Sequence, residues 1–335
     1  MRAAFRSFTT FCLLIAAACA GAPPPAPVGA QDLSVQIRSS VLTLKLDDPQ
    51  ARQVGRLKWR GGVAMTASSP NFGGWSDLHV APDGRSLTAI SDEGSWLTAI
   101  VAYDSDGNLA GLSGARIGSL RGLDGLPIRD KALADAEGLA RLPDGGWLVS
   151  FERQHRIWRY AELDAPPKPV EGAPEFAQQP NNGGIEALAA LPDGRVVAIS
   201  EDLATRSGAT AGWIGTPAGN GRYNWQGFAY AARPDFRPTA LTRLPDGSFA
   251  ALERAFDMVR GVRCRVVRFP ASQLQPGGTV QPEELAFLAS PYAVDNLEGI
   301  AATVGRRGET LLWLMSDDNF NPLQRNILLL FELEN

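Results

Sequence analysis

The feature that most constrains this chain is a segment that recurs five times, at intervals of roughly 50–60 residues. The copies lie at residues 76–93, 137–153, 186–202, 239–254 and 298–319. Each places a tight turn between two short apolar runs, and the three middle copies spell that turn Leu-Pro-Asp-Gly. A period of this length indicates one supersecondary unit that is repeated around an axis or along a line.

The repeated unit is a β-hairpin. Proline presets the backbone for the second turn position, aspartate bonds neighbouring backbone amides, and glycine accepts a positive φ. The runs that follow the turns, such as Val196–Ser200, are rich in β-branched and large apolar residues, as buried strands are. Long helical periodicity is absent. The pattern predicts an all-β fold, a single β-propeller with four-stranded antiparallel blades.

The number of blades depends on how the two chain ends pair. Five hairpins are visible in the sequence, but residues 32–70 and the C-terminal strand Asn326–Leu333 are available to build one more blade together. We therefore favour six blades, with five as the alternative. A single domain over residues 31–335 agrees with repeats that cover most of the chain.

Residues 1–30 have the pattern of a signal peptide followed by a Pro-rich leader. Two arginines, Arg2 and Arg6, precede an apolar run that is too short to cross a bilayer. Cleavage after Ala30 would begin the mature chain at Gln31 and send it to the periplasm or outside the cell. The alternative is processing as a lipoprotein, with a lipid anchor on Cys19 and no transmembrane span.

Composition and missing motifs exclude several functions. A net charge of −4 argues against a nucleic-acid surface, and we expect a monomer that acts on a small molecule. Cys264 is the one cysteine after the leader, so neither an internal disulfide nor a thiolate zinc site is expected there. Nucleophile elbows, phosphate loops and H-E-x-x-H are absent, and two histidines, His79 and His155, cannot form an imidazole cluster. The stretch 104–108 is faintly similar to a calcium loop but fits a hairpin turn better.

Acidic residues recur at fixed places in the repeats. Alignment on the turns puts one position of each copy at or just before the first strand: Ser76, Glu137, Glu186, Thr239 and Glu298. First strands line the channel of a propeller, so the three glutamates are expected to meet at one end. Oxygen donors without histidine or cysteine favour Ca²⁺ or Mg²⁺. The alternative is that these acids cap turns or pair with arginines.

A second acidic cluster follows the second strand of each repeat. It consists of Asp92 and Glu93, Glu152 and Arg153, Glu201 and Asp202, Glu253 and Arg254, and Asp317 and Asp318. For the Glu-Arg pairs we favour salt bridges between blades. Asp317 and Asp318 have no basic neighbour in their motif, which favours a place in the site.

Long stretches of the chain resemble exported proteins with a phytase-like domain, described as having esterase-like activity of phytase. The matching stretches are FGGWSDL, AISDEGSW, DAEGLA, FERQHRIWRY, NNGGIEALAALPDGR, RPTALTRLPDGSFAALERAF, DNLEGIAA and SDDNFNPLQRNILLLFEL. They span about residues 45–335. The resemblance implies a β-propeller that hydrolyses phosphate or carboxylate esters. Propeller phytases hold calcium ions with acidic residues, and lactonase propellers bind metal through a similarly placed glutamate.

The residues and the resemblance together give two hypotheses. In the first, the protein is a metal-dependent ester hydrolase in which Glu137, Glu186 and Glu298 hold a divalent cation. Its general base is Asp92, Glu93 or Asp318, and its substrate-binding residues are His79, Arg153 and Arg254. In the second, the protein is a non-catalytic propeller of the cell envelope, or a lactonase-like one, that binds a ligand or partner.

Overall fold

Five sheets surround one axis in the described part of the chain, residues 33–334 of a computed structural model. In each of the first four sheets, four antiparallel strands run from the inside outward in chain order, and two of these sheets carry one more strand at the outer edge. The first blade comprises β5 (Trp75–Val80), β6 (Ser86–Ser91), β7 (Ser95–Tyr103) and β8 (Leu109–Ser119), with β1 (Ser34–Val35) at its edge. The second comprises β9 (Ala136–Arg141), β10 (Trp147–Phe151), β11 (Arg156–Tyr160) and β12 (Lys168–Val170).

The third and fourth blades repeat this order. The third comprises β13 (Ile185–Ala190), β14 (Val196–Ala204), β15 (Thr210–Pro217) and β16 (Tyr223–Tyr230), with β20 (Thr279–Val280) parallel to β16. The fourth comprises β17 (Arg237–Arg243), β18 (Phe249–Asp257), β19 (Gly261–Phe269) and β21 (Glu283–Ala289). The helices are short: α1 (Lys131–Ala134) and 3₁₀ turns at Pro174–Gln178 and Ala271–Gln273.

Both ends of the described chain build the fifth blade. Its strands, from the inside outward, are β22 (Asn296–Val304), β23 (Thr310–Asp317), β24 (Asn326–Leu333), β4 (Leu57–Ala67) and β2 (Ile37–Val41), and β3 (Gln53–Val54) pairs with β4. The predicted pairing of the two chain ends is confirmed, because β24 lies between β23 and β4. The blade number is five, the alternative to the favoured six, because the N-terminal strands extend a hairpin already counted.

The inner strands close into a ring. Each of β5, β9, β13, β17 and β22 contacts the inner strands of both neighbouring blades. One aliphatic side chain from each inner strand, at most 4 % exposed, lines a small central cavity of about 160 Å³: Leu78, Leu139, Leu188, Leu241 and Ile300. These side chains lie between the two ends of the inner strands.

The local predictions for the turns are confirmed. Gly194 and Gly247 have φ of +83° and +90°, and the preceding Asp193 and Asp246 accept hydrogen bonds from backbone amides two residues on. Asp104 caps the β7–β8 turn by accepting from the amides of residues 106 and 108. Cys264 is fully buried, as expected of a small apolar side chain.

The leader predictions lie outside the described residues; this applies to the signal peptide, to Cys19 and to cleavage before Gln31. Within residues 33–334, no helix combines the length and the apolar character that a bilayer crossing requires.

Candidate metal centre

Two columns of side chains meet at one end of the channel, which we call the carboxylate end. Every inner strand carries a β-bulge, and the bulge column consists of Ser76, Glu137, Glu186, Thr239 and Glu298. In each blade the residue just before the bulge pairs with a residue near the end of the second strand. The residue that follows this partner forms a second column. This strand-end column consists of Asp92, Glu152, Glu201, Arg254 and Asp317. The five-fold register therefore gathers seven acids and one arginine around the axis.

Two carboxylate triads have the spacing of a cation site. In the first, oxygens of Asp135, Glu137 and Glu152 lie within 4.8 Å of one another, and in the second those of Glu152, Glu186 and Glu201 do. Glu152 belongs to both. Sets made only of carboxylate oxygens suit the hard cations Ca²⁺ and Mg²⁺ and are poor ligands for soft metals. The residues present therefore fit the divalent cation that the phytase resemblance implies.

The crowding of these acids favours their neutral forms. Burial raises the pKa of Glu152 to about 7, although a hydrogen bond from the Gly184 amide at 2.9 Å opposes the shift. Burial likewise raises the pKa of Glu298 to about 8 and that of Asp317 to about 7. The pKa of Glu186 is raised by burial first and then by the charges of Glu201, Glu298 and Glu137. Protons and cations thus compete for the same oxygens near neutral pH.

Arg254 provides counter-charge on one side of the carboxylate end. Its Nη2 lies 3.1 Å from Glu298 and 3.6 Å from Glu201. These bonds join the fourth blade to the fifth and the third, so the predicted inter-blade salt bridge is confirmed for Arg254. Glu253 pairs within its own blade, with Arg265. Burial works against the charged guanidinium, but Glu298 and Glu186 outweigh it and raise the Arg254 pKa.

Lys131 organises the opposite side. Its Nζ lies 2.6 Å from Asp92, 2.8 Å from Asp135 and 3.3 Å from Glu93. Arg153 has a positive φ of 55° and forms a hydrogen-bonded ion pair with Asp135. The Arg153 guanidinium therefore pairs within its own blade.

The structure separates some of the predicted site residues. Glu137 and Glu186 belong to different triads, and Glu298 belongs to neither, because it pairs with Arg254. Asp318 lies beside the site but accepts hydrogen bonds from the Gly74 amide at 3.0 Å and Asn326 at 2.7 Å.

His79 is not brought to the carboxylate end. It follows Ser76 by three residues along β5, which places it roughly 10 Å away, at the far end of the strand. There its ring contacts Trp147 edge-on, with ring centroids 5.3 Å apart.

Three residues of the two triads were not assigned to the metal from the sequence: Asp135, Glu152 and Glu201. Glu152 and Glu201 carried a signal, since both follow the second strand at matching places in their repeats. Glu201, beside Asp202, was given no role, whereas for Glu152 the signal was interpreted as salt bridging because Arg153 stands beside it. The reversed backbone of Arg153 sends the two side chains to different partners.

Two solved structures show distant similarity to this chain. A candidate gluconolactonase structure is 11% identical, with a TM-score of 0.39, and the match covers 80% of this chain and 92% of that one. The PQQ-bound aldose sugar dehydrogenase of Streptomyces coelicolor is 15% identical, with a TM-score of 0.43, and the match covers 89% and 99%. Likenesses this weak carry no argument, and no curated protein matches.

A family profile gives the assignment. The profile described as phytase-like, esterase-like activity of phytase, matches residues 70–320, which include all five inner strands and both columns of the carboxylate end. The chain therefore belongs to this phytase-like family of β-propellers.

Proposed function

We propose that the protein is a divalent-cation-dependent hydrolase of phosphate or carboxylate esters that acts at the carboxylate end. The observation that carries this proposal is the pair of oxygen-only triads that share Glu152. The bulge column and the strand-end column together contain seven acids and one arginine, so the negative charge is not fully balanced. A hard cation is the chemical species that such a set would hold.

The cation would be held by Glu152 with Glu137 and Asp135, or with Glu186 and Glu201. When bound, it supplies positive charge that polarises an ester oxygen and acidifies nearby water. Family membership and the match between donors and hard cations support this assignment. Calcium is our choice over magnesium because the second triad takes its carboxylates from two blades, which suits the looser coordination geometry of calcium.

Asp317 and Arg254 supply the remaining chemistry in this proposal. A general base works best when its pKa lies near the operating pH, and burial raises the pKa of Asp317 to about 7. Arg254 would orient the anionic part of the substrate while remaining paired with Glu298. Asp92 and Glu93 contact Lys131, and Asp318 is committed to loop amides; these three remain predictions as alternative bases.

The charge around the site favours esters with one or two negative charges. The basic side chains nearest to it are already in ion pairs: Lys131 with Asp92, Arg153 with Asp135, and Arg254 with Glu298. A polyphosphate would need free cations. We therefore propose monoesters rather than inositol hexakisphosphate.

The test combines a hydrolase screen with calcium-dependent melting. The screen uses the mature protein with phosphate monoesters, carboxylate esters and lactones, with added Ca²⁺ or with EGTA. We expect hydrolysis only with Ca²⁺, and a melting temperature that rises with Ca²⁺ because the cation binds the folded state. Glu186→Gln should abolish most of both effects while leaving stability in EGTA equal or slightly higher. The exposed Glu175, which has no ion pair among the described residues, provides a matched control in Glu175→Gln.

The opposite pattern would reject the proposal. If Ca²⁺ changes neither melting nor activity, and Glu186→Gln destabilises the protein with or without metal, the acids are structural. The non-catalytic binding propeller would then be the better description.

A further inference from the structure

A groove between the first and second blades opens at the end opposite the carboxylates. It encloses about 620 Å³ and is lined by both blades, from the inner strands outward. This volume lies in the range of small-molecule sites. His79, which lines the groove, lies three residues along β5 from Ser76 of the carboxylate end, a distance of roughly 10 Å.

One wall of the groove is a polar row that crosses all four strands of the first blade. Residues in direct register form it: His79 opposite Thr88, Thr88 opposite Thr98, and Thr98 opposite Arg116. Side chains in register project from the same face of a sheet. The row therefore presents one imidazole, two hydroxyls and one guanidinium to the second blade.

The other blades fill this place with apolar side chains. In the first blade His79 stands three residues after the bulge column and pairs with Thr88. The equivalent residues of the other blades pair with apolar partners: Leu148, Val197, Ala250 and Trp313. Those four partners are fully buried between blades, whereas Thr88 is half-buried beside the cavity. A repeat that elsewhere maintains an apolar seam has thus been opened at one junction.

The polar groups of the groove are free to bind something. Within residues 33–334, the side chains of His79, Thr88, Thr98, Arg116 and Arg141 form no hydrogen bond or ion pair with another residue. Arg141 lies over the Trp147 ring at 4.2 Å, and the same ring contacts His79. Burial and the nearby Arg141 lower the pKa of His79 to about 4, so its imidazole is a neutral hydrogen-bonding group at pH 7. Polar groups beside a cavity and without protein partners are satisfied by solvent or ligand.

The charges around the groove define what it would accept. Arg116 and Arg141 offer guanidinium forks to a carboxylate or phosphate. Two exposed carboxylates, Glu162 and Asp164, also line the groove and would repel a bare anion. Ligand hydroxyls can donate to these carboxylates and bond the threonines and His79. The complementary ligand is therefore an anion that carries several hydroxyls.

We propose that the groove between the first and second blades binds a small hydroxylated organic anion of the sugar-acid or sugar-phosphate type. Arg116 and Arg141 bind its acidic group, and His79, Thr88 and Thr98 bind its hydroxyls. This site is separate from the proposed hydrolytic centre and does not depend on it.

The experiment measures binding by calorimetry and tryptophan fluorescence, since Trp96 and Trp147 line the groove. The probes are glucuronate, glucose 6-phosphate, glucose and inorganic phosphate, each with the mature protein in EGTA. Glucuronate has no ester bond and cannot be turned over. We expect saturable binding of glucuronate or glucose 6-phosphate. Glucose, which lacks the acidic group, and inorganic phosphate, which lacks the sugar hydroxyls, should each bind at least ~10-fold more weakly.

Matched variants locate the binding. Arg141→Gln and Thr88→Val should each weaken binding, the former by ~10-fold or more. Arg243→Gln should not, because Arg243 occupies the place of Arg141 in the fourth blade and does not line the groove. Glu186→Gln should also leave binding unchanged, which separates this site from the proposed hydrolytic centre.

Three results would overturn the proposal: no binding of either sugar anion at millimolar concentration, equal binding of inorganic phosphate, or an equal loss in Arg243→Gln. Melting curves of each variant in buffer show whether it is folded. Thr88→Val keeps the shape of a β-branched side chain, so it reports on the hydroxyl even if an arginine variant fails to fold.

Discussion

Replacing Glu152 with glutamine tests whether the buried, charged carboxylate of Glu152 lowers the free energy of unfolding. Glu152 is 4 % exposed and belongs to both triads. Burial is the main cause that raises its pKa from 4.5 to about 7, with further contributions from the charges of Asp135 and Glu201. The amide of Gln keeps an oxygen for the Gly184 N–H and adds a donor toward the neighbouring carboxylates.

The size and sign of the effect follow from proton linkage. One pKa unit corresponds to about 1.4 kcal/mol, so the shift of Glu152 amounts to about 3 kcal/mol. The pKa of Glu152 is higher in the folded state than in the unfolded state, so its contribution to stability is fully present below its unfolded-state pKa of 4.5. That stability is lost as the pH rises to about 7. Glutamine does not titrate, so the variant should be more stable than the wild type at pH 8, by up to about 3 kcal/mol, and nearly equal at pH 4.5.

Urea unfolding in EGTA at pH 4.5 and pH 8 measures this difference. In melting experiments it corresponds to about 5 °C for a chain of this length. With Ca²⁺ the order should reverse at pH 8, because the variant loses a ligand shared by both triads. Glu175→Gln controls for the general effect of removing one negative charge. A Glu152→Gln protein that is less stable than the wild type at pH 8 in EGTA would refute the reasoning.

Three further predictions concern other parts of the molecule. Removing residues 327–335 should prevent stable folding, because β24 is buried between β23 and β4; a truncated protein that melts like the wild type would contradict this closure. Arg254→Gln should destabilise the protein by about 3–5 kcal/mol at pH 8 in EGTA, since Glu298 and Glu201 lose their cation, and unchanged urea unfolding would show that these acids are already neutral. N-terminal sequencing of the exported protein should begin at Gln31, whereas a start at Cys19 would indicate a lipoprotein.

Local chemistry explains what could be predicted from the sequence. The Pro-Asp-Gly turns determine their own backbone, so the hairpins and the repeat follow from a few adjacent residues. The bulge column was also predictable, because alignment of the repeats places Glu137, Glu186 and Glu298 at equivalent positions. The alignment, however, predicts only at which end of the channel these glutamates lie, and not which residue each of them contacts. Glu298 pairs with Arg254 because the strand-end column of the fourth blade carries an arginine where the others carry acids.

Long-range pairing explains what could not be predicted. The strands in residues 33–67 show no turn signal that distinguishes a sixth blade from an extension of the fifth. Their place is decided by pairing with β24, more than 250 residues away in the chain. His79 was predicted to bind the substrate, but the direction of β5 puts it at the opposite end from Ser76. The sequence alone does not show which face of a blade meets a cavity.

The first strands of the described chain join two blades, and this has a kinetic consequence. Ser34–Val35 pair with β8 of the first blade, and Ile37–Val41 pair with β4 of the fifth, so one short segment spans the junction where the ring closes. The fifth blade is completed by the pairing of β4 with β24, which lie more than 250 residues apart in the chain. Folding must therefore wait for contacts between the two ends of the chain, which makes it slow. Once formed, the ring can open at this junction only after at least one of these two sets of strand pairs breaks, and the native state should be long-lived relative to its free energy of unfolding.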